Sequence, residues 1–266
     1  MKASSIYQHE KSFRDNGIDS FGKKFILTPE TVTIPGESTK LTVLDCRRDN
    51  NDNSFYYQEV VPKKRIVLHF TAGYLKGDIA TLTTPYYHVS VPFIVARSGD
   101  IYNPWASKYW SYHLGNTAIG GNTEMSSSSI AIEISNIGFL IKDGKNFHTI
   151  YSNDDVYCEQ GETGYYTEVA AYRGQKYYAT FTNAQYRSLI LLLRYLTARY
   201  NIPRVFLSPD KIFEPFASAE EAANFSGICS HVNFRPTGKW DIGPAFNWKK
   251  LMFGVWKPVA GANPVG

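Results

Sequence analysis

The chain has 266 residues, enough for one large domain or for one domain with an elaborated end. Hydrophobic residues make up 43% and support a sizeable core, while 28 Lys and Arg against 24 Asp and Glu leave a net charge of only +4. That excess is dispersed, with no basic block longer than Lys63-Lys64-Arg65, so the footprint of a nucleic-acid binder is missing.

Residues 1–60 read as an N-terminal extension packed on the main domain. They are polar, turn-rich at Ile34-Pro35-Gly36-Glu37 and charged from Arg47 to Asn53, with too little apolar material for a core of their own. Within them Glu30–Ile34 and Lys40–Leu44 are candidate strands. A main domain over 61–256 follows. Ile66–Phe70 is a continuous apolar run with β-branched residues, which predicts an interior strand. Gly77–Thr84 is a short helix. Val89–Ala96 and Asp100–Tyr102 are strands flanking the tight turn Arg97-Ser98-Gly99-Asp100. Ser129–Ser135 alternates, with Ile130, Ile132 and Ile134 on one face and Ala131, Glu133 and Ser135 on the other. From 141 to 178 the chain is rich in Gly, Asp, Asn and Tyr and reads as a long insertion, either a lid or binding loop or a decorated hairpin. Thr182 and Gln185 form a capping box ahead of the stripe Leu189, Leu192, Leu193, Leu196 and Tyr200, a helix that ends before Pro203. The Pro/Gly/Ala-rich tail 257–266 is expected to fray. Strands interleaved with helices define an α/β class with a mixed central β-sheet flanked by helices.

Cys46, Cys158 and Cys229 are too few and too scattered for a disulfide framework. No apolar stretch approaches the ~18 residues that span a bilayer. Met1–Phe13 carries charge and no apolar h-region, so no cleavable signal is visible. Export would then depend on lysis or on a dedicated secretion machine. Aromatic content is high, at 15% with 19 Tyr, which suits either a carbohydrate-contacting surface or an ordinary core.

Two segments concentrate the chemistry. His69 closes the strand Lys64–Phe70 and is followed by Thr71-Ala72-Gly73. About 160 residues later, His231, Lys239 and Asp241 fall within His231–Trp248. Two imidazoles and a carboxylate suit a catalytic zinc, which keeps one position open for water. Lys239, two residues before Asp241, shares its face if that segment is extended. Glu133 places a carboxylate on a sheet face otherwise filled with small residues, where it needs water or a partner. His113 sits in Trp110-Ser111-Tyr112-His113-Leu114-Gly115. His9, His88 and His148 have no motif around them.

Together these segments resemble the zinc-dependent N-acetylmuramoyl-L-alanine amidase family, which includes phage-type lysozyme amidases, bacterial recycling amidases and animal peptidoglycan recognition proteins. The carrying features are the His69 turn, the His231–Lys239–Asp241 spacing and the tail Asp241-Ile242-Gly243-Pro244 with its aromatics. The resemblance covers 61–256 apart from the 141–178 insertion, and implies a single amidase/peptidoglycan-recognition-like domain. It further implies zinc on His69, His231 and Asp241, with Cys229 a neighbour and not a ligand. Glu133 and Lys239 would be catalytic and His113 would contact substrate. The implied partner is peptidoglycan or a muropeptide. The chain departs from many relatives at Val91-Pro92, where those carry a tyrosine or histidine. The implied activity is cleavage of the amide between N-acetylmuramic acid and L-alanine. The rivals are a recognition module without catalysis, which typically lacks a metal ligand, and an amidase aimed at soluble muropeptides or delivered as a toxin. A serine or cysteine hydrolase has no motif to support it.

Overall fold

The computed structural model describes Met1–Lys257; apart from Lys257, the 257–266 tail lies outside the described residues. In chain order the elements begin with α1 (Ile6–Asn16), β1 (Phe25–Thr33), β2 (Lys40–Arg48), β3 (Arg65–Phe70), α2 (Leu75–Leu82), β4 (Phe93–Val95) and β5 (Ile101–Asn103). Next come α3 (Asn122–Ser127), β6 (Ser129–Ile134), β7 (Phe139–Asp143), β8 (Asn146–His148), β9 (Val156–Glu159), β10 (Tyr166–Tyr172) and β11 (Gln175–Ala179). The chain closes with α4 (Asn183–Tyr200), α5 (Ala219–Asn224), β12 (Gly227–Ser230) and α6 (Trp248–Trp256).

Seven strands form a mixed sheet in the order β1-β2-β5-β4-β6-β3-β12. The run β4, β6, β3, β12 is parallel throughout, while β2 and β5 are parallel to each other and β5 is antiparallel to β4. Every residue of β3 is buried, as its apolar sequence demands. Side-chain alternation then divides the core. Ile66, Leu68, Ile130, Ile132 and Ile134 join Leu189, Leu192, Leu193 and Leu196 of α4 on one face. Ala131, Ile94 and Tyr102 meet Phe13 of α1 and Leu75, Ile79 and Leu82 of α2 on the other. The α4 cap forms as the sequence predicts: Gln185 N–H donates to Thr182 Oγ1 at 3.1 Å, and Thr182 N–H returns to Gln185 Oε1 at 3.0 Å.

Residues 1–60 supply α1 and two strands of this sheet. Both strands are longer than alternation alone indicated, and α1 was not indicated at all, because one of its buried positions is the acidic Glu10. Glu10 accepts the N–H groups of Arg97 and Ser98 at 2.8 Å each and so pins α1 to the β4–β5 turn. Burial pushes this carboxyl from 4.5 up to about 7, against the two N–H groups that pull it down. Its folded value lies above its unfolded one, so its protonation stabilises the fold fully below the unfolded pKa and that stabilisation is lost as pH rises to the folded value. Relative to the non-titrating Glu10→Gln variant, the wild-type chain is expected to lose up to about 3 kcal/mol of stability between acid pH and pH 8. Urea unfolding of both proteins across that range measures it, and a pH-independent difference would refute it.

Phe139–Ala179 forms a second, five-stranded antiparallel sheet in the order β10-β11-β7-β8-β9. It has its own apolar cluster, in which Leu140, Phe147, Tyr157 and Cys158 pack with Ala3 and Ile6 from the N-terminus. α2 begins at Leu75, two residues before the expected start, and α3, α5 and α6 were not anticipated.

Candidate metal centre

Register builds the site. In the parallel β3–β6 pair His69 stands directly opposite Glu133, and β12 pairs with β3 up to Ser230↔Leu68. His231 follows Ser230 at once, so three neighbouring strands deliver Glu133, His69 and His231 at their carboxyl ends. Asp241 arrives from the loop after β12, whose carbonyl accepts the Val232 N–H at 2.9 Å. His69, His231 and Asp241 are 1%, 3% and 5% exposed.

Their donor atoms converge. His69 Nδ1 lies 2.9 Å from His231 Nδ1 and 3.2 Å from Asp241 Oδ2, and His231 Nδ1 lies 2.8 Å from the same oxygen. A tetrahedral zinc with bonds near 2.0–2.1 Å separates its ligands by about 3.3 Å, so the triangle is close to one face of that polyhedron. The outer nitrogens fit the same assignment. His231 Nε2 is 3.1 Å from the Leu114 carbonyl, which only an N–H can satisfy, and this frees the Nδ1 lone pair. His69 Nε2 is 3.0 Å from His113 Nδ1, which can accept its proton. Burial, reinforced by the neighbouring His231, pushes His69 down to about 4, so it is neutral at neutral pH. Burial alone would raise Asp241; the charge and hydrogen bonds of His231 and His69 outweigh it and hold the carboxyl far below the usual range. Two neutral-capable imidazoles and one carboxylate, dry and convergent, fit a zinc ion.

Glu133 is held well above the ordinary carboxylate range, first by burial, then by the charges of Asp241 and Asp78, with Lys239 opposing. Its Oε2 is buried without a hydrogen-bond partner among the described residues. A cleft of about 320 Å³ over the cluster is lined by His113, Glu133, His231, Lys239 and Asp241. It shares Thr71, Leu82 and Glu133 with a neighbouring cleft of about 420 Å³ that reaches His9 and Phe21 of the first 60 residues and Tyr151 of the second sheet. Asp78 accepts a hydrogen bond from Ser135 at 2.7 Å below that neighbour. A Cβ at Gly73 would lie 2.0 Å from its Oδ1, which explains the small residue after the His69 strand.

The sequence-derived residues therefore meet in one place. Cys229 points elsewhere, its Sγ 3.8 Å from the Ile66 carbonyl within the Val67–Leu114–Phe234 cluster. Lys239 lies in a loop and not in a strand, and its carbonyl is held by Arg173 at the β10–β11 turn. Arg173 Nη1 donates to the Lys239 and Arg235 carbonyls at 2.7 and 2.9 Å, and Trp240 Nε1 donates back to the Arg173 carbonyl at 3.0 Å. Arg173 carried no sequence signal, since its partners are backbone atoms more than sixty positions away.

A mixed α/β sheet carrying a dry His-His-Asp cluster beside a half-buried acid has the parts that a mononuclear metallohydrolase needs. The chain belongs to the N-acetylmuramoyl-L-alanine amidase family, which is zinc-dependent and matches residues 59–244. It is 25% identical over 208 residues to N-acetylmuramoyl-L-alanine amidase AmiD of Escherichia coli K12. That similarity covers 75% of this chain and 57% of AmiD, so the chain spans little more than half the length of this relative. Similar solved structures include E. coli AmiD in complex with the substrate anhydro-N-acetylmuramic acid-L-Ala-D-γ-Glu-L-Lys (22% identity, 84% of this chain, 65% of that one, TM-score 0.46). Another is Pseudomonas aeruginosa AmpDh3 in complex with anhydromuramic pentapeptide (18% identity, 76% of this chain, 64% of that one, TM-score 0.44). Among the described residues no helix is long and apolar enough to cross a membrane.

Proposed function

We propose that this chain hydrolyses the amide bond between N-acetylmuramic acid and L-alanine in peptidoglycan or muropeptides, on stems of the L-Ala-D-γ-Glu type that the AmiD complex holds. The observation that supports it most is the parallel register that sets Glu133 beside His69 within a closed triangle of metal donors. His69 Nδ1, His231 Nδ1 and an Asp241 oxygen would hold zinc. The bound ion would polarise the scissile carbonyl and acidify the attacking water.

The chain's own groups do the rest. Glu133 takes the proton of the attacking water and passes it to the leaving amine nitrogen of L-alanine. Burial and the nearby carboxylates of Asp241 and Asp78 raise its basicity, which favours its taking the water proton. The Lys239 ammonium, on the cleft wall, opposes the negative charge that develops on the carbonyl oxygen, a contribution of about 3–4 kcal/mol for one well-placed donor. In this reading 61–256 is the amidase domain with 141–178 as its insertion, and 1–60 builds part of one cleft wall. A recognition module without catalysis would have no use for a carboxylate whose Oε2 is buried without a partner beside a complete donor set.

Digestion of purified peptidoglycan with mass spectrometry of the products, with and without a zinc chelator, tests the proposal. Free stem peptides beginning at L-alanine, lost on chelation and restored by zinc, are expected. Wall binding without products would reassign the chain to recognition.

His113 also acts on the metal in this reading. Its Nδ1 accepts the His69 Nε2 proton and so fixes the tautomer that leaves Nδ1 for zinc. His113→Ala is expected to weaken zinc binding by about 10–100-fold, measured by competition with a chelator. An unchanged affinity with a raised KM would leave His113 a substrate contact only.

A further inference from the structure

One wall of the cleft carries a guanidinium that the hydrolytic steps do not use. A space of about 720 Å³ beside the metal cluster is lined by Arg235, Lys239, Asn116, Asn122 and Glu124 along with His113 and His231. Its two cations outnumber its one acid. Arg235 is fixed: Nη1 donates to the Leu114 carbonyl at 3.1 Å, the same oxygen that His231 Nε2 reaches at 3.1 Å. Gly115 makes room for it, since a Cβ there would stand 2.5 Å from Nη1. The Arg235 carbonyl is tied to Arg173. Nε and Nη2 have no acceptor among the described residues. A half-buried, oriented guanidinium with an open N–H edge is a fork for a carboxylate.

We propose that Arg235 reads the free α-carboxylate of the second stem residue and so makes the enzyme favour γ-linked D-glutamate over its α-amide, isoglutamine. This rests on the amidase reading above. A γ-linkage uses the side-chain carboxyl for the peptide bond and leaves the α-carboxyl ionised. Two extended residues reach about 7 Å from the scissile carbonyl. From His231 Nδ1 to Arg235 the path is one imidazole ring and two hydrogen bonds of 3.1 Å to a shared oxygen. That path bounds the separation from above, so Arg235 stands no farther off than the start of the stem can span. Lys239, which lines the cleft over the metal donors where Arg235 does not, is left to the carbonyl oxygen. Amidation removes the charge and half of the acceptor edge, leaving the fork with a neutral oxygen and a repelling NH₂.

The test compares two muropeptides that differ only in this α-carboxylate or α-carboxamide, using the zinc-loaded chain of 266 residues. The wild type is expected to favour the acid by about tenfold to a hundredfold in kcat/KM. Arg235→Gln should lose rate on the acid only, bringing the ratio near one with zinc content unchanged. Arg235→Lys, which keeps charge and loses the fork, should fall between. A wild-type ratio near one overturns the assignment, whatever the variants do, and so does a ratio that survives in Arg235→Gln. Calorimetric binding of the corresponding acid and amide stem tripeptides is the second readout. Cleavage of neither muropeptide would sink the amidase reading alone, and the binding difference would still decide Arg235.

Discussion

Asp241→Ala is expected to be isolated without zinc and without activity. The carboxylate is the one anionic member of the donor triangle, and a dication taken out of water into this site needs it. It also draws His69 and His231 together, at 3.2 and 2.8 Å from one oxygen. Without it, two imidazoles 2.9 Å apart face each other, and the stable outcome is a single N–H···N bond between the atoms that should face a metal. The loss should exceed the 10–100-fold that removing an outer hydrogen-bond partner costs. Metal analysis after gel filtration, with Asp241→Cys as a variant that restores a ligand, decides the matter. Full zinc content in the alanine variant would remove Asp241 from the donor set.

Glu133→Gln should behave in the opposite way, keeping its metal and losing turnover. The substitution is nearly isosteric, and Glu133 does not touch the donor triangle through any hydrogen bond among the described residues. What disappears is the proton acceptor, and general-base catalysis of this kind contributes about 10²–10⁴-fold. Zinc affinity within a few-fold of wild type together with a kcat down by that factor is the expected pair of results. A variant that turns over normally would hand proton transfer to another group. One that loses zinc would make Glu133 part of the metal's electrostatic surroundings. The two substitutions therefore separate holding the ion from moving the proton.

Much of this was legible in the chain. The run Ile66–Phe70 and the alternation of Ser129–Ser135 are read correctly as sheet, because both strands are flanked by parallel neighbours and helices that reward apolar side chains. Thr182 and Gln185 announce α4 because a capping box is a local arrangement. The three donors were legible as a set because ligand type and spacing survive in a linear string. Their register was not: that His69 faces Glu133 depends on parallel pairing across sixty-four positions, and parallel pairing leaves no local signature. The five-stranded second sheet was hidden for a related reason. β10 is half-exposed along its length, with no clean alternation to betray it, and its order comes from aromatic contacts such as Phe147 with Tyr166 and Tyr177. α1 escaped because its docking residue is a carboxylate capping a distant turn.

The Arg173 contacts carry a consequence for how this chain can vary. The tip of the β10–β11 hairpin grips the loop that presents Lys239 and Asp241 through three hydrogen bonds. The other end of that sheet is tied as well, Tyr151 to the Ala72 carbonyl and Asp155 to the N-terminal amine, but it is at 173–174 that a residue gained or lost shifts this grip and with it the metal loop. The accessory sheet works as a gauge block: its strand lengths set the height of Lys239. Any shortened version that keeps activity must rebuild that distance by other means.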